Sequence, residues 1–580
     1  MRCYRRKQML GLYFTLSVVP LLAWSVSGQA ATWNRLTFLS PDSAGTMILL
    51  TDGTVMVQGY NPGNNWMRLT PNSTGSYING TWSNLASMSI PRLYYGSNML
   101  TSGKVWLLGG EYSGFGLPAN FTNTGEMYDP LTDTWSPIAS HPEPQFGDDP
   151  TMLLGHSKIL AGSISTRNTY LYDIASDTWS GPIPKVYNDR SDEETWVKLP
   201  HGGVLNYDLF QSIRTGGAYA ERYDFQVNAW VGISPSDGTA SGTIPQLSSS
   251  ALGFELGGIV HLKDGRIFVI GATGHTAIYT TSTNTWEAGP DIIGTLSGNA
   301  AIFGADDAPA AVMPNGHVLL AADSGPSGFS STGNITNGSN MITNIPSTAI
   351  LQVGWRVQGP GIPSNTVITA IHSESQVSIN NAATATIAND SIQWGGTFSF
   401  PTQIFDFNPD TNTISPVFPP IPDANLARAP AFVTRMLVLP TGEVLFSDAS
   451  RQLWIYTPDG GPEEASRPII DAITYNGGDV FTLTGRQLNG QSAGSSYGDD
   501  VESDENYPIV RLVRAGTVYY GRTSNWSNTG VATGDVTETV DFTLPAGLTA
   551  PGNYSVEVIG AGIASFPVFL DITATEIAGQ

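Results

Sequence analysis

The chain has 580 residues, with 64 Gly, 38 Pro and only 13% charged residues. That length exceeds one ordinary domain, and that composition excludes a helical or disordered chain in favour of a turn-rich β protein. A formal charge of −23 sets it against nucleic acid and anionic membrane, and toward cations or neutral ligands such as sugars.

Residues 1–30 read as a secretory signal peptide. Arg2, Arg5, Arg6 and Lys7 precede an apolar run from Met9 to Trp24, and small residues follow up to Ala30. Pro20 breaks the run, which is short for a membrane span. The expected product is exported, to the periplasm, the cell surface or the medium, with no membrane span left after cleavage. Loss of the four basic leader residues takes the formal charge from −23 to −27. Cys3, the single cysteine, leaves with the leader, so disulfides and thiolate sites are not available to the mature chain.

From 32 to 460 the chain repeats itself. An apolar strand, a Gly-containing turn and a second apolar strand recur at 46–59, 97–110, 151–163, 196–208, 258–271, 310–322 and 436–448. A Tyr-Asp-like strand, a polar turn and a strand with Trp follow, as MYDPLTDTW (127–135), LYDIASDTW (171–179), RYDFQVNAW (222–230) and IYTTSTNTW (278–286). Tight-turn dipeptides between apolar runs predict hairpins, and four strands per period of about 45–50 residues predict a propeller blade. The bulky Tyr and Trp are expected between blades. The seventh unit, WIYTPDG (454–460), lacks a closing Thr-Trp, and Thr32-Trp33 is expected to supply it, closing the ring.

Acidic residues precede several inner strands: Asp148-Asp149, Asp192-Glu193-Glu194, Glu255 and Asp306-Asp307. A propeller aims such loops at one mouth of its channel. Converging carboxylates suit calcium, with Asp148, Asp192 and Asp306 the candidate ligands, or acid–base work on a sugar. The same residues in turns also bond local backbone amides, and the sequence leaves these readings open.

Residues 328–396 interrupt the sixth blade with a Thr-, Asn- and Ile-rich small β insertion, either a binding module or a neutral insertion in a tolerant loop. After Pro462 the repeat stops. Alternating runs over 467–575 predict an immunoglobulin-like β-sandwich. Its acidic stretch 496–508 is expected near a propeller face, and Tyr519, Tyr520 and Trp526 are candidates for sugar stacking.

Gly109-Gly110, Tyr128-Asp129 and Thr134-Trp135 resemble kelch repeats, and residues 32–575 as a whole resemble the bacterial galactose-oxidase-like, kelch-containing family. That resemblance implies a seven-bladed kelch-like β-propeller followed by an immunoglobulin-like sandwich. It also implies a copper site of two tyrosines and two histidines, one tyrosine crosslinked to a cysteine. The crosslinking tyrosine matches Tyr94, preceded by Arg92, but its cysteine falls near Ala44. The Tyr-His pair falls at Phe432-Val433, and the last histidine near Tyr519 or Tyr520. Copper and oxidase activity are therefore not expected, and calcium stays open as a cofactor. The function expected is non-catalytic binding of carbohydrate or protein by a monomer, with a glycan-active enzyme and an adhesive surface protein as alternatives.

Overall fold

The computed structural model describes residues 30–579 apart from 61–62, 117, 201–202, 250–252, 254, 297, 325–328, 350, 352, 354, 364–365, 396–398, 495 and 498–505. The leader with Cys3, the middle of the acidic stretch and parts of the insertion thus lie outside the described residues. The protein is nearly all β. Seven antiparallel sheets, each built on four strands adjacent in the repeat, occupy the region before residue 460. The first runs Ala44–Leu49, Val55–Gly59, Trp66–Thr70 and Thr81–Leu85, and the others follow the same hairpin order.

The sheets form a propeller. The inner strand Gly96–Met99 touches Thr151–Leu154, which touches Thr195–Lys198, then Ile259–His261, Ala310–Val312, Arg435–Val438 and Ala44–Leu49 in turn. Between the first and second blades, the Tyr95 hydroxyl donates to Gln58 Oε1 at 2.6 Å and Trp66 packs on Trp135 at 5.9 Å. The N-terminal strand Thr32–Arg35 pairs antiparallel with Trp454–Thr457, setting Trp33 opposite Tyr456 with rings 4.6 Å apart. The last blade thus takes its outer strand from the start of the chain, which covers the edge of Trp454–Thr457 and closes the ring.

The Tyr-Asp…Trp pattern has a specific physical meaning. The turn between the third and fourth strands carries an Asp or Asn in left-handed backbone: Asp133, Asp177, Asn228, Asn284 and Asn412, with φ of 51 to 54°. These are the non-glycine residues that best tolerate that region. The tyrosine five residues earlier donates its hydroxyl to this side chain: Tyr128 to Asp133 at 2.9 Å, Tyr172 to Asp177 at 2.7 Å, Tyr223 to Asn228 at 2.5 Å and Tyr279 to Asn284 at 2.9 Å. The same oxygen reaches the preceding blade, accepting Ala86 N at Asp133 and Ala139 N at Asp177. The tryptophan two residues on donates Nε1 to that blade as well: Trp135 to Ala86 O, Trp179 to Ala139 O and Trp286 to Ile233 O, at 2.8–2.9 Å.

In each blade the inner strand runs from one face of the ring to the other. The acidic loops and the loops between second and third strands therefore share one face, here the mouth face. The hairpin turns share the opposite one. The insertion leaves blade six between Val318–Ser324 and Thr402–Asn408, so it stands on the mouth face. It forms two three-stranded sheets around Ile335, Trp355, Val377 and Trp394. A short helix, Leu209–Thr215, interrupts blade four on that face and ends at Gly216 in left-handed backbone. Seven residues between strands carry too little periodicity to mark such a helix in the sequence.

The C-terminal strands form one eight-stranded sheet that closes over Phe481, Leu483, Leu512, Val540, Phe542 and Val556. It docks on the turn face. Gly53, at φ 74°, lets the Tyr520 ring lie where a Cβ would come within 2.6 Å, and Thr523 N donates to Thr51 O at 3.2 Å. From this module, Ser496–Tyr497 pairs with Thr195 and Trp196, the inner strand of blade four. The segment thus runs up the channel toward the mouth. None of the described helices is long and apolar enough to cross a membrane.

The turn residue is the test of this scheme. Asp177→Asn keeps the acceptor and the tolerated backbone and should leave stability unchanged. Asp177→Ala loses both and should cost on the order of 2 kcal/mol, read as a lowered urea midpoint.

Candidate functional site

The mouth is built by the residue that turns the chain into each inner strand. Tyr94, Asp148, Glu193 and Asp307 occupy this place in blades two, three, four and six, all in left-handed backbone at φ 53 to 62°. Four such residues outside glycine, at one structural position, are a concentration of strain of the kind found at working sites. Part of the strain serves the ring itself: Asp148 N donates to Tyr94 O at 3.4 Å and Glu193 N to Asp148 O at 3.0 Å. This links successive blades around the opening.

On this backbone, Asp148, Asp192 and Glu193 each bring a carboxylate oxygen to within 4.8 Å of the others. Asp148 is buried, and the other two are half-buried. Arg190 Nε donates to Asp192 Oδ2 at 2.7 Å, with its guanidinium 3.8 Å above the Phe210 ring. Tyr94 meets Tyr112 edge to face at 5.6 Å. The Tyr112 phenol is pushed up first by Glu111, then by burial, then by Asp148 and Glu193, which places it within the field of the acidic group. Glu111, Tyr112 and Phe210 were not expected from sequence. Glu111 and Tyr112 follow Gly109-Gly110 outside any acidic pair, and Phe210 lies on the unexpected helix.

The remaining candidates are placed elsewhere. Asp149 is fully buried below the group, and burial first, then Asp192, hold its carboxyl well above the usual range. Asp306 is also buried. Its Oδ1 accepts Glu255 N, from the entry loop of the preceding blade, at 3.2 Å, and it does not join the cluster of Asp148 and Asp192 in which it was expected. Glu193 takes that place, because the left-handed turn at 193 points it inward. Arg92 is a scaffold residue, 1% exposed, bonded to Glu126 Oε1 at 3.1 Å and to Gly109 O and Thr124 O. Tyr520, Tyr519 and Trp526 belong to the turn face: Tyr520 on Gly53, Tyr519 against Tyr554 at 6.2 Å, Trp526 stacked on Tyr507 at 5.5 Å. They do not reach the mouth, because the whole C-terminal sheet docks on the other side.

The described histidines are dispersed. His141 packs among Phe146, Tyr170 and Trp179, His275 pairs with Asp291, and His317 pairs with Asp406. Phe432 and Val433 end a 3-10 turn before the blade-seven inner strand, the position equivalent to Tyr94. Among the described residues, both groups able to hold a cation consist of carboxylates. The donor set at the mouth is therefore hard oxygen, of the kind calcium takes.

The kelch motif matches residues 99–142, which span the second blade. An F-box/kelch-repeat protein of Arabidopsis thaliana is 40% identical over 57 residues, 10% of this chain. The chain spans 16% of that relative's length. Among solved structures, a fungal alcohol oxidase of the AA5 family, in complex with copper, aligns over 92% of this chain and 85% of its own, at 15% identity and a TM-score of 0.32.

Burial raises the Asp306 carboxyl to about 7. The folded protein keeps a proton there that the unfolded chain releases near pH 4, so the stability this proton gives is complete below about pH 4 and is lost as pH rises toward about 7. Asp306→Asn removes the charge and retains an acceptor for Glu255 N. Thermal melts should show variant and wild type alike at pH 4, with the variant gaining by at most roughly 1.4 kcal/mol per pH unit across that window. With its kelch match and its seven-sheet ring, the chain is a protein of β-propeller fold that carries a kelch motif.

Proposed function

We propose that this is an exported binding protein that takes a hydroxyl-rich ligand, of the carbohydrate class, at the propeller mouth. The observation that carries the reading is the convergence of Asp148, Asp192 and Glu193 beside the Tyr94–Tyr112 pair. Carboxylates accept hydrogen bonds from vicinal hydroxyls, directly or across a calcium ion, and aromatic faces cover the apolar side of a sugar ring. The leader-like N-terminus supports export, and the kelch motif supports a binding role for the propeller.

The test is a glycan array followed by calorimetry on the best ligand, with and without calcium. Asp148→Asn and Glu193→Gln should each weaken binding on the order of 10–100-fold, the worth of one charge-assisted hydrogen bond. Unchanged affinity in both variants would sink the mouth as the site. Slow cleavage of the ligand by wild type, lost in the variants while binding persists, would replace binding by hydrolysis.

A further inference from the structure

Behind the mouth, at the same end of blade four, lies a second polar group that the ligand reading does not use. Lys185, Asp189, Glu194, Asn206, Asp208 and Glu221 are all at most 2% exposed. They come from three places in the chain: the 185–194 segment, the end of Val204–Tyr207 and the start of Ala220–Asp224. Lys185 Nζ stands 2.5 Å from Glu194 Oε1 and 3.6 Å from Asp208 Oδ1. Asp189 Oδ2 accepts Gln211 N at 2.9 Å, and Glu221 Oε2 accepts Val186 N at 2.7 Å.

Each carboxylate thus uses one oxygen on the protein. The other oxygens, Asp189 Oδ1, Glu194 Oε2, Asp208 Oδ2 and Glu221 Oε1, are buried with no hydrogen-bond donor. Asn206 adds an independent observation. Its Nδ2 stands 3.5 Å from Asp208 Oδ1, and its Oδ1 is likewise buried without a donor. A carboxylate can resolve such a position by taking a proton, whereas an amide oxygen cannot.

The charges point the same way. Four carboxylates against one ammonium leave three uncompensated negative charges in the protein interior, a state too costly to persist as written. A divalent cation would cancel two of these charges. Oxygens of Asp189, Glu194 and Asp208 lie within 4.8 Å of one another, and two ligands across one calcium ion, each at about 2.4 Å, are separated by that much.

We propose that Asp189, Glu194 and Asp208, joined by the Asn206 side-chain oxygen, form a divalent-cation site of the calcium class that pins the 185–194 segment. That segment carries Arg190, Asp192 and Glu193 to the mouth, so the ion acts as a positioning element for the site in front of it. Lys185 occupies the oxygens the ion does not need and limits the site to one ion.

The experiment uses the mature protein and the variant Asp148→Asn/Asp192→Asn/Glu193→Gln, which removes the mouth carboxylates and leaves the buried group intact. Both are gel-filtered from calcium, magnesium or manganese chloride at pH 7.5 and analysed for bound metal, with melting curves before and after EGTA. The expected result is one tightly held equivalent in the variant, and a melting temperature several degrees lower after chelation. Asp189→Asn/Asp208→Asn should lose that equivalent. A mouth variant that holds none of the three metals, with a melting curve indifferent to EGTA, would overturn the proposal whether or not Asp189→Asn/Asp208→Asn folds. Failure of the mouth as a ligand site would appear separately, in the glycan measurements.

Discussion

In blades two to five, a single side-chain oxygen anchors the outer hairpin. An Asp or Asn in left-handed backbone closes the outer hairpin, accepts the hydroxyl of the tyrosine five residues before it, and in blades two and three also accepts an amide of the preceding blade. The tryptophan two residues later adds a donor across the same seam. A blade's own hairpins cannot bury its faces. The seam ties each face to a neighbour through hydrogen bonds that fix registration as well as distance, while ring contacts such as Trp66–Trp135 and Trp106–Trp179 fill the space between.

Registration between blades is what makes a mouth. Because each sheet repeats the last with little change in setting, the residue leading into the inner strand falls at the same height in every blade. Different side chains at that one place then face a common axis. Tyr94, Asp148, Glu193 and Asp307 share a backbone conformation though no two of the first three share a residue type. The fold thus separates two tasks. Seam residues are uniform because their geometry is uniform, and mouth residues vary because their backbone is already fixed by its neighbours.

The two non-repeating parts approach this mouth from opposite sides. The insertion rises from blade six on the mouth face. The C-terminal sheet sits on the turn face and sends Ser496–Tyr497 along the inner strand of blade four, pairing Tyr497 with Thr195, two residues from Glu193. Blade four therefore carries two of the three mouth carboxylates, the channel strand and the buried acidic group together, and a change in any one bears on the other two.

The repeat, its hairpins and the closing strand could be read from the order of residues, because these depend on contacts between neighbours in sequence or on a pattern written several times. Thr32-Trp33 was legible as the missing end of WIYTPDG for that reason. The site was legible only in part. Acidic pairs before inner strands marked the right loops, but which members turn inward depends on single backbone angles, so Glu193 joined Asp148 and Asp192 while Asp306 bonded to Glu255 N. The placement of Tyr519, Tyr520 and Trp526 on the turn face depends on how two separately folded sheets dock, and no local pattern encodes that. Of the group around Lys185 the sequence marked only Glu194, in the triplet Asp192-Glu193-Glu194. The other members are scattered polar residues between 185 and 221, and only the packing of three segments against one another brings them to one buried point.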